Sequence, residues 1–266
     1  MSLLCALAPL GAACVAQPTI DEMPGVSLQP GSAEEPLGSA PAELAAQSSA
    51  PASASVYPRE ATLFGDSYEE WAATWWQWML AIPADVNPNG EGPCDVDQSG
   101  HVFFLAGNWG GTSTRSCTIP TGKAIFVPIL IAYRTSCPEI AGGSYTCESA
   151  TSEDDLHEVA EWMLDQDNSM SLEIDGVAVE GLDEYRAHTA TFSMPAPEEG
   201  PIGICAGPIQ ENPCGVPVGT PRNTVSDGHW VMLRPLPPGE HQIHLTGSVP
   251  SFGFSLDITY NITVAP

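Results

Sequence analysis

Residues 255–264 read SLDITYNITV and alternate strictly between polar and apolar side chains. The apolar side chains occupy the even-numbered positions and the polar ones the odd-numbered positions. Because successive side chains of a strand point to opposite faces of a sheet, this pattern predicts a strand with one buried and one solvated face. Such strands are typical of antiparallel sheets.

Shorter stretches of the same kind recur between turns rich in Gly and Pro. Residues 170–180, MSLEIDGVAVE, contain two alternating runs joined by Asp175-Gly176, a strong hairpin signal. Since helical patterns are confined to two places, we predict a mainly β fold, an antiparallel β-sandwich or jelly-roll-like domain with two helical decorations. Further strands are predicted at 101–106, 123–131, 188–194, 229–234 and 241–247.

Helical periodicity appears at 68–81 and again at 153–166. The first segment follows Ser67 and Glu70, which have the spacing of a capping box, and it stops before Pro83. The second has apolar residues at helical spacing and an acidic opposite face. Both segments are therefore predicted to be α-helices.

The first of these helices is apolar around most of its circumference and contains four tryptophans. Burial in the core is the simplest interpretation, because tryptophan supplies much apolar area. The alternative is that the rings line a polymer-binding groove. Trp76 lies off the main apolar face, so it is the candidate for stacking against a substrate.

The N-terminus is typical of an exported precursor. Residues 3–13 form a short apolar run of the kind found in signal peptides, and LGAAC at 10–14 resembles a lipoprotein cleavage box. We therefore expect residues 1–16 to be a signal segment with lipidation at Cys14. Ordinary signal cleavage near Ala16, which would leave the protein secreted, and a buried apolar N-terminus are the alternatives.

The composition changes abruptly after this segment. Ala, Ser, Pro and Gly supply more than half of residues 17–57, which contain no Lys or Arg. Such a segment cannot bury enough apolar surface to offset its chain entropy, so it is predicted to be a disordered linker. Residues 58–266 are then predicted to form one β-rich domain.

The charge balance limits the range of partners. The chain carries 33 Asp and Glu against 7 Lys and Arg, a formal charge of −26, and its single lysine is Lys123. Binding to nucleic acid requires clustered cations, and so does binding to an anionic membrane surface. We therefore expect no nucleic-acid partner, and contact with a membrane only through the N-terminal lipid.

Six cysteines belong to the predicted domain. An even number in an exported chain is typical of a disulfide framework. We predict three bridges between sequence neighbours; a metal site is the less favoured alternative because no pair has the C-x2-C spacing of a zinc knuckle. The predicted pairs are Cys94 with Cys117, Cys137 with Cys147, and Cys205 with Cys214.

A short acidic segment resembles the start of a calcium-binding loop. Asp95, Asp97 and Ser99 alternate before Gly100, but the twelfth position counted from Asp95 is Ala106 and not the bidentate Glu. A polar turn leading into a strand is the favoured interpretation. We therefore predict no cofactor, and calcium at this loop remains the alternative.

Three further residues are candidates for chemistry. His241 shares the inward side of a predicted strand, where it is either a structural residue or a general base or metal ligand. Lys123 and Arg115 are rare cations in an acidic chain, so each either forms a structural ion pair or steadies a negatively charged substrate group. The catalytic candidates are accordingly His241 and Lys123, and Arg115 is a candidate for substrate binding.

Six separated blocks occur in order along the sequence: SYEEWAATWWQWMLAIP, NP, QSGHVFFLAG, RSCTIPTGKAIFVPI, LPPGEHQIHLTG and FSLDITYNITV. Together they resemble an uncharacterised family of exported bacterial proteins. The resemblance covers about 67–264 and implies that the Trp-rich helix, Gln98, Lys123 and His241 occupy family motif positions, which makes Gln98 another candidate for substrate binding. It implies no particular reaction, fold or cofactor.

These patterns favour a cell-envelope domain that binds or interacts at the surface, with an extracellular polymer or envelope component as partner. An extracellular hydrolase or lyase acting on a carbohydrate or other polymer is the alternative, and a purely structural envelope protein is a third. No G-x-S-x-G, H-E-x-x-H or phosphate-loop motif occurs. The enzyme interpretation predicts that Gln98, Lys123 and His241 share one cleft beside the Trp-rich helix.

Overall fold

The computed structural model describes residues 55–136, 152–195 and 221–265, all within one compact unit that spans 50–266. Helix α1 spans Tyr68–Ala81 and helix α2 spans Glu153–Leu164, so both predicted helices are confirmed. No helix in this part of the chain is long and apolar enough to cross a membrane. The strands are β1 Val102–Phe104, β2 Gly111–Pro120, β3 Ala124–Thr135, β4 Ser169–Ile174, β5 Val177–Ala178, β6 Arg186–His188, β7 Phe192–Pro195, β8 Pro221–Leu233, β9 Gly239–Val249 and β10 Phe254–Ala265.

The first sheet has the order β1-β3-β8-β6, and β7 also pairs with β8. Residues 224–233 of β8 are all buried, as are 124–130 of β3. Consecutive buried residues mean that both faces of this sheet are covered. The first sheet is therefore the middle layer of the domain.

The second sheet has the order β2-β10-β9-β4-β5. The even-numbered residues 256–264 of β10 are buried, and the odd-numbered residues between them are at least partly exposed, which confirms the predicted alternation. The β4–β5 hairpin turns at Asp175 and Gly176, and both have positive φ, as a type I′ turn requires. This sheet has one buried face and one solvent-exposed face.

The main core lies between the two sheets, and a second core lies between the first sheet and α1. The fold is thus mainly β and sandwich-like with two helices, as predicted. Two strand pairs, β1 with β3 and β2 with β10, are parallel, whereas we expected antiparallel pairing throughout. The chain leaves the first sheet after β1, crosses to the second for β2 and returns for β3, so β1 and β3 run in the same direction.

Strand β2 was not predicted, because its sequence GTSTRSCTIP has few apolar residues. Only Cys117 and Ile119 are buried in it, as suits a strand at the edge of a sheet. Cys117 forms a disulfide with Cys94, which confirms the first predicted pair. The other four domain cysteines, residues 1–16 with Cys14, and most of the predicted linker lie outside the described residues.

Helix α1 begins as its sequence predicts. The Ser67 hydroxyl accepts a hydrogen bond from the Glu70 amide, and the Glu70 carboxylate accepts one from the Ser67 amide. The helix covers the far face of the first sheet, where Trp75 and Trp230 pack edge to face with ring centroids 5.2 Å apart. The Trp-rich helix therefore forms part of the core.

Candidate functional site

Gln98 lies in the loop that leads into β1, and Lys123 contacts the same loop. The Gln98 side chain accepts a hydrogen bond from the Phe104 amide at 2.9 Å and donates to the carbonyls of Phe104 and Cys94 at 2.9 and 3.2 Å. Lys123 donates to the carbonyl of Gly100 in the same loop. Both side chains thus satisfy backbone groups of an irregular segment.

The same loop contains the candidate calcium ligands Asp95 and Asp97. It forms a turn in which Asp97 and Gly100 have positive φ. Among the residues that the structure describes, no three His, Cys, Asp or Glu side chains are arranged to hold a metal ion.

Arg115 on β2 is surrounded by backbone carbonyls. Its guanidinium donates to the Gly107 carbonyl and the Tyr260 hydroxyl, both at 2.7 Å, and to the Gly90 carbonyl at 3.1 Å. Two longer bonds, each 3.3 Å, reach the carbonyls of Ala106 and Asn89. The five bonds hold two loops against the second sheet, a structural role for which the planar guanidinium is well suited.

Trp76 is covered by protein. It is 2% exposed, its indole N–H donates to the Ser226 hydroxyl at 2.7 Å, and its ring lies 4.4 Å from that of Tyr133. A ring in this environment presents no free face to a substrate. Its predicted role in substrate binding stays a prediction, which this packing does not favour.

His241 lies near the start of β9 in the second sheet, where it pairs with Ile262 of β10. Its Nδ1 is 2.7 Å from the Asp175 carboxylate, and its Nε2 is 2.9 Å from the Pro237 carbonyl. Burial lowers the pKa of His241, but the bond to Asp175 and then the bond to Pro237 outweigh burial and leave the pKa raised. Because both nitrogens face acceptors, the geometry fits a protonated imidazole that joins three segments; the predicted role as a base stays a prediction.

A polar cluster that the sequence analysis did not predict lies between α2 and the first sheet. Asp227 is buried and accepts bonds of 3.0 and 3.1 Å from Arg186 Nε, while His188 Nδ1 lies 3.2 Å from the same carboxylate. Arg186 also donates to Asp165, the C-cap of α2, at 2.7 Å. Since the last turn of α2 has no basic residue, Arg186 supplies the cation that its C-terminus favours.

His229 belongs to the same face of the first sheet, two residues from Asp227 on β8. It is buried, and its Nδ1 has no hydrogen-bond partner in the described part of the chain. Burial, followed by the positive charge of Arg186, lowers the pKa of His229. His229 is thus held neutral.

The outer face of the second sheet is open and polar, and its residues form rows across the strands. In the row nearest the β9–β10 turn, the register aligns Ser255, Ser248 and Ser169. The next row consists of Thr112, Asp257, Thr246 and Ser171. A depression of about 390 Å³ lies between these rows, lined by Gly111, Thr112, Ser169, Thr246, Gly247, Ser248, Ser255, Leu256 and Asp257.

Three exposed aromatic side chains lie at this same end of the sheet. Trp109 precedes β2 and is 41% exposed, and Phe252 in the β9–β10 turn is 44% exposed. Trp162 of α2 is 45% exposed, and its ring packs edge to face on that of Phe252 at 5.4 Å. We call the depression together with Trp109, Trp162 and Phe252 the sheet-end site.

The sheet-end site carries negative but no positive side chains. Its carboxylate, Asp257, accepts a hydrogen bond from His244 Nε2 at 2.9 Å. On the outer face of β2, β4, β9 and β10, the other carboxylates are Glu173 and Glu240, and no Lys or Arg of these four strands points outward. The site can therefore exchange hydrogen bonds and stack against a ligand, and it disfavours anions.

Sequence reasoning missed this site because its aromatic residues are far apart in the chain. One signal was available on α2, where Trp162 lies outside the apolar set of Leu156, Ala160 and Leu164 that is buried. A large aromatic on the polar face of a helix needs an explanation other than packing.

No protein-family model matches the chain, and none of the curated proteins matches it either. Among solved structures, PbICP-C in complex with falcipain-2 is similar at 11% identity and a TM-score of 0.20, over 62% of this chain and 100% of that chain. A cysteine protease inhibitor from Entamoeba histolytica is similar at 14% identity and a TM-score of 0.18, over 58% of this chain and 94% of that one. TM-scores this low assign neither a fold nor a function to this chain.

Proposed function

We propose that the protein is an exported cell-envelope domain, anchored by a lipid on Cys14, that binds an extracellular ligand at the sheet-end site. The observation that carries the proposal is that Trp109 and the contacting pair Trp162 and Phe252 are exposed at the end of the second sheet where the polar depression lies. Exposing large aromatic side chains gives a domain no stability, and grouped exposed apolar residues mark interaction sites.

The arrangement of the predicted catalytic residues also supports binding over hydrolysis or elimination. Gln98 and Lys123 contact backbone carbonyls beside the first sheet, whereas both nitrogens of His241 are engaged in the second. An active site would require these groups to face one reacting atom. A surface that binds a ligand needs no such convergence.

The binding role is tested with the full chain and a panel of four probes: a neutral polysaccharide, an anionic polysaccharide, lipid vesicles and an unfolded protein. We expect the protein to bind at least one probe, and the double variant Trp109→Ala, Phe252→Ala to bind it about tenfold or more weakly. Phe64→Ala is the matched control, because Phe64 is equally exposed but lies before α1. Binding of no probe, or equal binding by the double variant, would refute the role.

The anchor is tested separately by cell fractionation. We expect the protein to sediment with membranes and Cys14→Ser to move it to the soluble fraction, because the acyl chain would be its hold on the bilayer. If the variant still sediments with membranes, the anchor proposal fails while the binding role is unaffected.

A further inference from the structure

We infer that the ligand of the sheet-end site is a chain of neutral sugars, an inference that rests on the proposed binding function and specifies its ligand. Four kinds of ligand compete for such a surface: anionic polymers, membranes, peptides and neutral polyhydroxylated polymers. The charges, hydroxyl groups and aromatic rings of the site distinguish among them.

Charge argues against anionic ligands. The depression contains the Asp257 carboxylate, and the outward positions on the four long strands of the second sheet include neither Lys nor Arg. A phosphate, sulfate or uronate group would meet negative charge without a counterion from the protein. An anionic membrane surface is disfavoured for the same reason, since basic residues are what such surfaces attract.

The hydroxyl groups of the depression match those of a sugar. Ser169 shares a bond with Ser248 at 2.9 Å, and Ser171 shares one with Thr246 at 2.7 Å. A hydroxyl has one donor and two acceptor positions, so each of these groups keeps hydrogen-bonding capacity after its cross-strand bond. Sugar hydroxyls likewise donate and accept, and Asp257 can accept from two of them at once.

The aromatic rings provide the complementary apolar surface. Trp162 and Phe252 meet edge to face, an arrangement that holds both rings in place while each stays more than two fifths exposed. The C–H face of a pyranose ring is apolar and flat, so it can stack on such a ring while its hydroxyls turn toward the serine row. A lipid tail or an apolar peptide would leave these hydroxyls without partners.

The shape fits a chain. The depression is shallow and crosses four adjacent strands, each about 4.8 Å from the next, so it is roughly 14 Å long. Its volume of about 390 Å³ is at the lower end of ligand sites, which run from roughly 300 to 1,000 Å³. Since it is open to solvent, the ligand can extend beyond it in both directions.

The test is isothermal titration of the full chain with soluble neutral oligosaccharides of several linkages, a uronic-acid oligosaccharide, vesicles and an unfolded peptide. We expect binding to a neutral oligosaccharide, little change in affinity with added salt, and about tenfold or greater loss in Trp162→Ala. Asp257→Asn should weaken binding less, because an amide still accepts. Thr263→Ala, at the opposite end of the same strand, should bind like the unchanged protein.

Binding of only the uronate, the vesicles or the peptide, with loss in Trp162→Ala, would refute the neutral-sugar inference and leave the binding role standing. Failure of every probe would overturn both proposals. Binding of a neutral oligosaccharide with equal affinity in Trp162→Ala and Asp257→Asn would place the sugar elsewhere and refute the inference. Thermal unfolding of each variant, compared with the unchanged protein, identifies any loss that comes from misfolding.

Discussion

The two sheets of this domain have similar strands but use them differently. The first is covered by α1 on one face and by the second sheet on the other, so residues 224–233 of β8 are buried without interruption. In the second sheet, β10 alternates buried with at least partly exposed residues from 256 to 265. Substitutions in the first sheet should therefore change stability, whereas outward positions of the second sheet are free to serve function.

Aromatic residues show the same contrast. Beneath α1, Trp75 and Trp230 are each at most 1% exposed, whereas Trp109 and Trp162 at the sheet-end site are 41% and 45% exposed. The residue type alone therefore does not indicate function. Its position in the layers decides whether a tryptophan fills a core or presents a surface.

The largest expected effect comes from breaking the buried aromatic cluster. Trp75→Ala removes edge-to-face contacts with Trp76 and Trp230 and leaves the Leu105 carbonyl without its 2.7 Å donor. We expect the free energy of unfolding to fall by about 3–5 kcal/mol. Urea denaturation followed by circular dichroism measures this change.

The matched control is Thr259→Ala, on the outer face of β10. Its free energy of unfolding should stay within about 0.5 kcal/mol of the unchanged protein. If the two variants lose similar stability, the contrast between a doubly covered sheet and a half-open one is wrong.

An intermediate effect is expected at Arg115, which joins the loops between the sheets to the second sheet. Arg115→Lys replaces a planar fork that reaches five acceptors with a single ammonium that reaches fewer, so buried carbonyls lose their donor. We expect a loss of about 1–3 kcal/mol in the free energy of unfolding.

Arg234→Lys is the control for Arg115, because Arg234 is exposed and its guanidinium lies over the ring of Tyr57, a cation–π contact that an ammonium group can also make. Its stability should change by less than about 0.5 kcal/mol. If the Arg115→Lys protein kept its stability but lost affinity for a charged ligand, that result would favour substrate binding, the role predicted for Arg115 from the sequence.

Local patterns were enough to predict several parts of this fold. The capping box and Pro83 mark the two ends of α1, the alternation of polar and apolar residues identifies β10, and Asp175-Gly176 marks the hairpin. Each of these signals acts within a few residues of the structure that it specifies. Neighbour pairing likewise predicted the bridge of Cys94 with Cys117.

The remaining features depend on contacts between distant segments. Four of the five acceptors of Arg115 are backbone carbonyls. Every sequence contains such groups, so no residue pattern predicts which of them an arginine will contact. Trp109, Trp162 and Phe252 lie at one end of the second sheet only once α2 has packed on β3 and β8 of the first sheet, which brings Trp162 to the β9–β10 turn. Strand order and register, which set these positions, are decided by tertiary packing.

The smallest expected effect is a difference between the two sheets in how one histidine of each makes stability depend on pH. His241 in the second sheet has a raised pKa, so its native state binds the proton more tightly than the unfolded chain does. Its contribution to stability is complete below the unfolded pKa of about 6.5 and is lost as pH rises through the higher folded value. His229 in the first sheet has a lowered pKa, so it opposes folding when the unfolded chain becomes protonated below about pH 6.5.

The measurement is the free energy of unfolding of the unchanged protein, His241→Gln and His229→Gln between about pH 5.5 and 8.5. The difference between the unchanged protein and His241→Gln should shrink as pH rises, whereas the difference from His229→Gln should grow. Asp175→Asn should abolish most of the first trend, because the Asp175 carboxylate contributes most among the groups that raise the pKa of His241. Parallel trends for the two histidines would contradict the assignment of a charged imidazole to the half-open sheet and a neutral one to the doubly covered sheet.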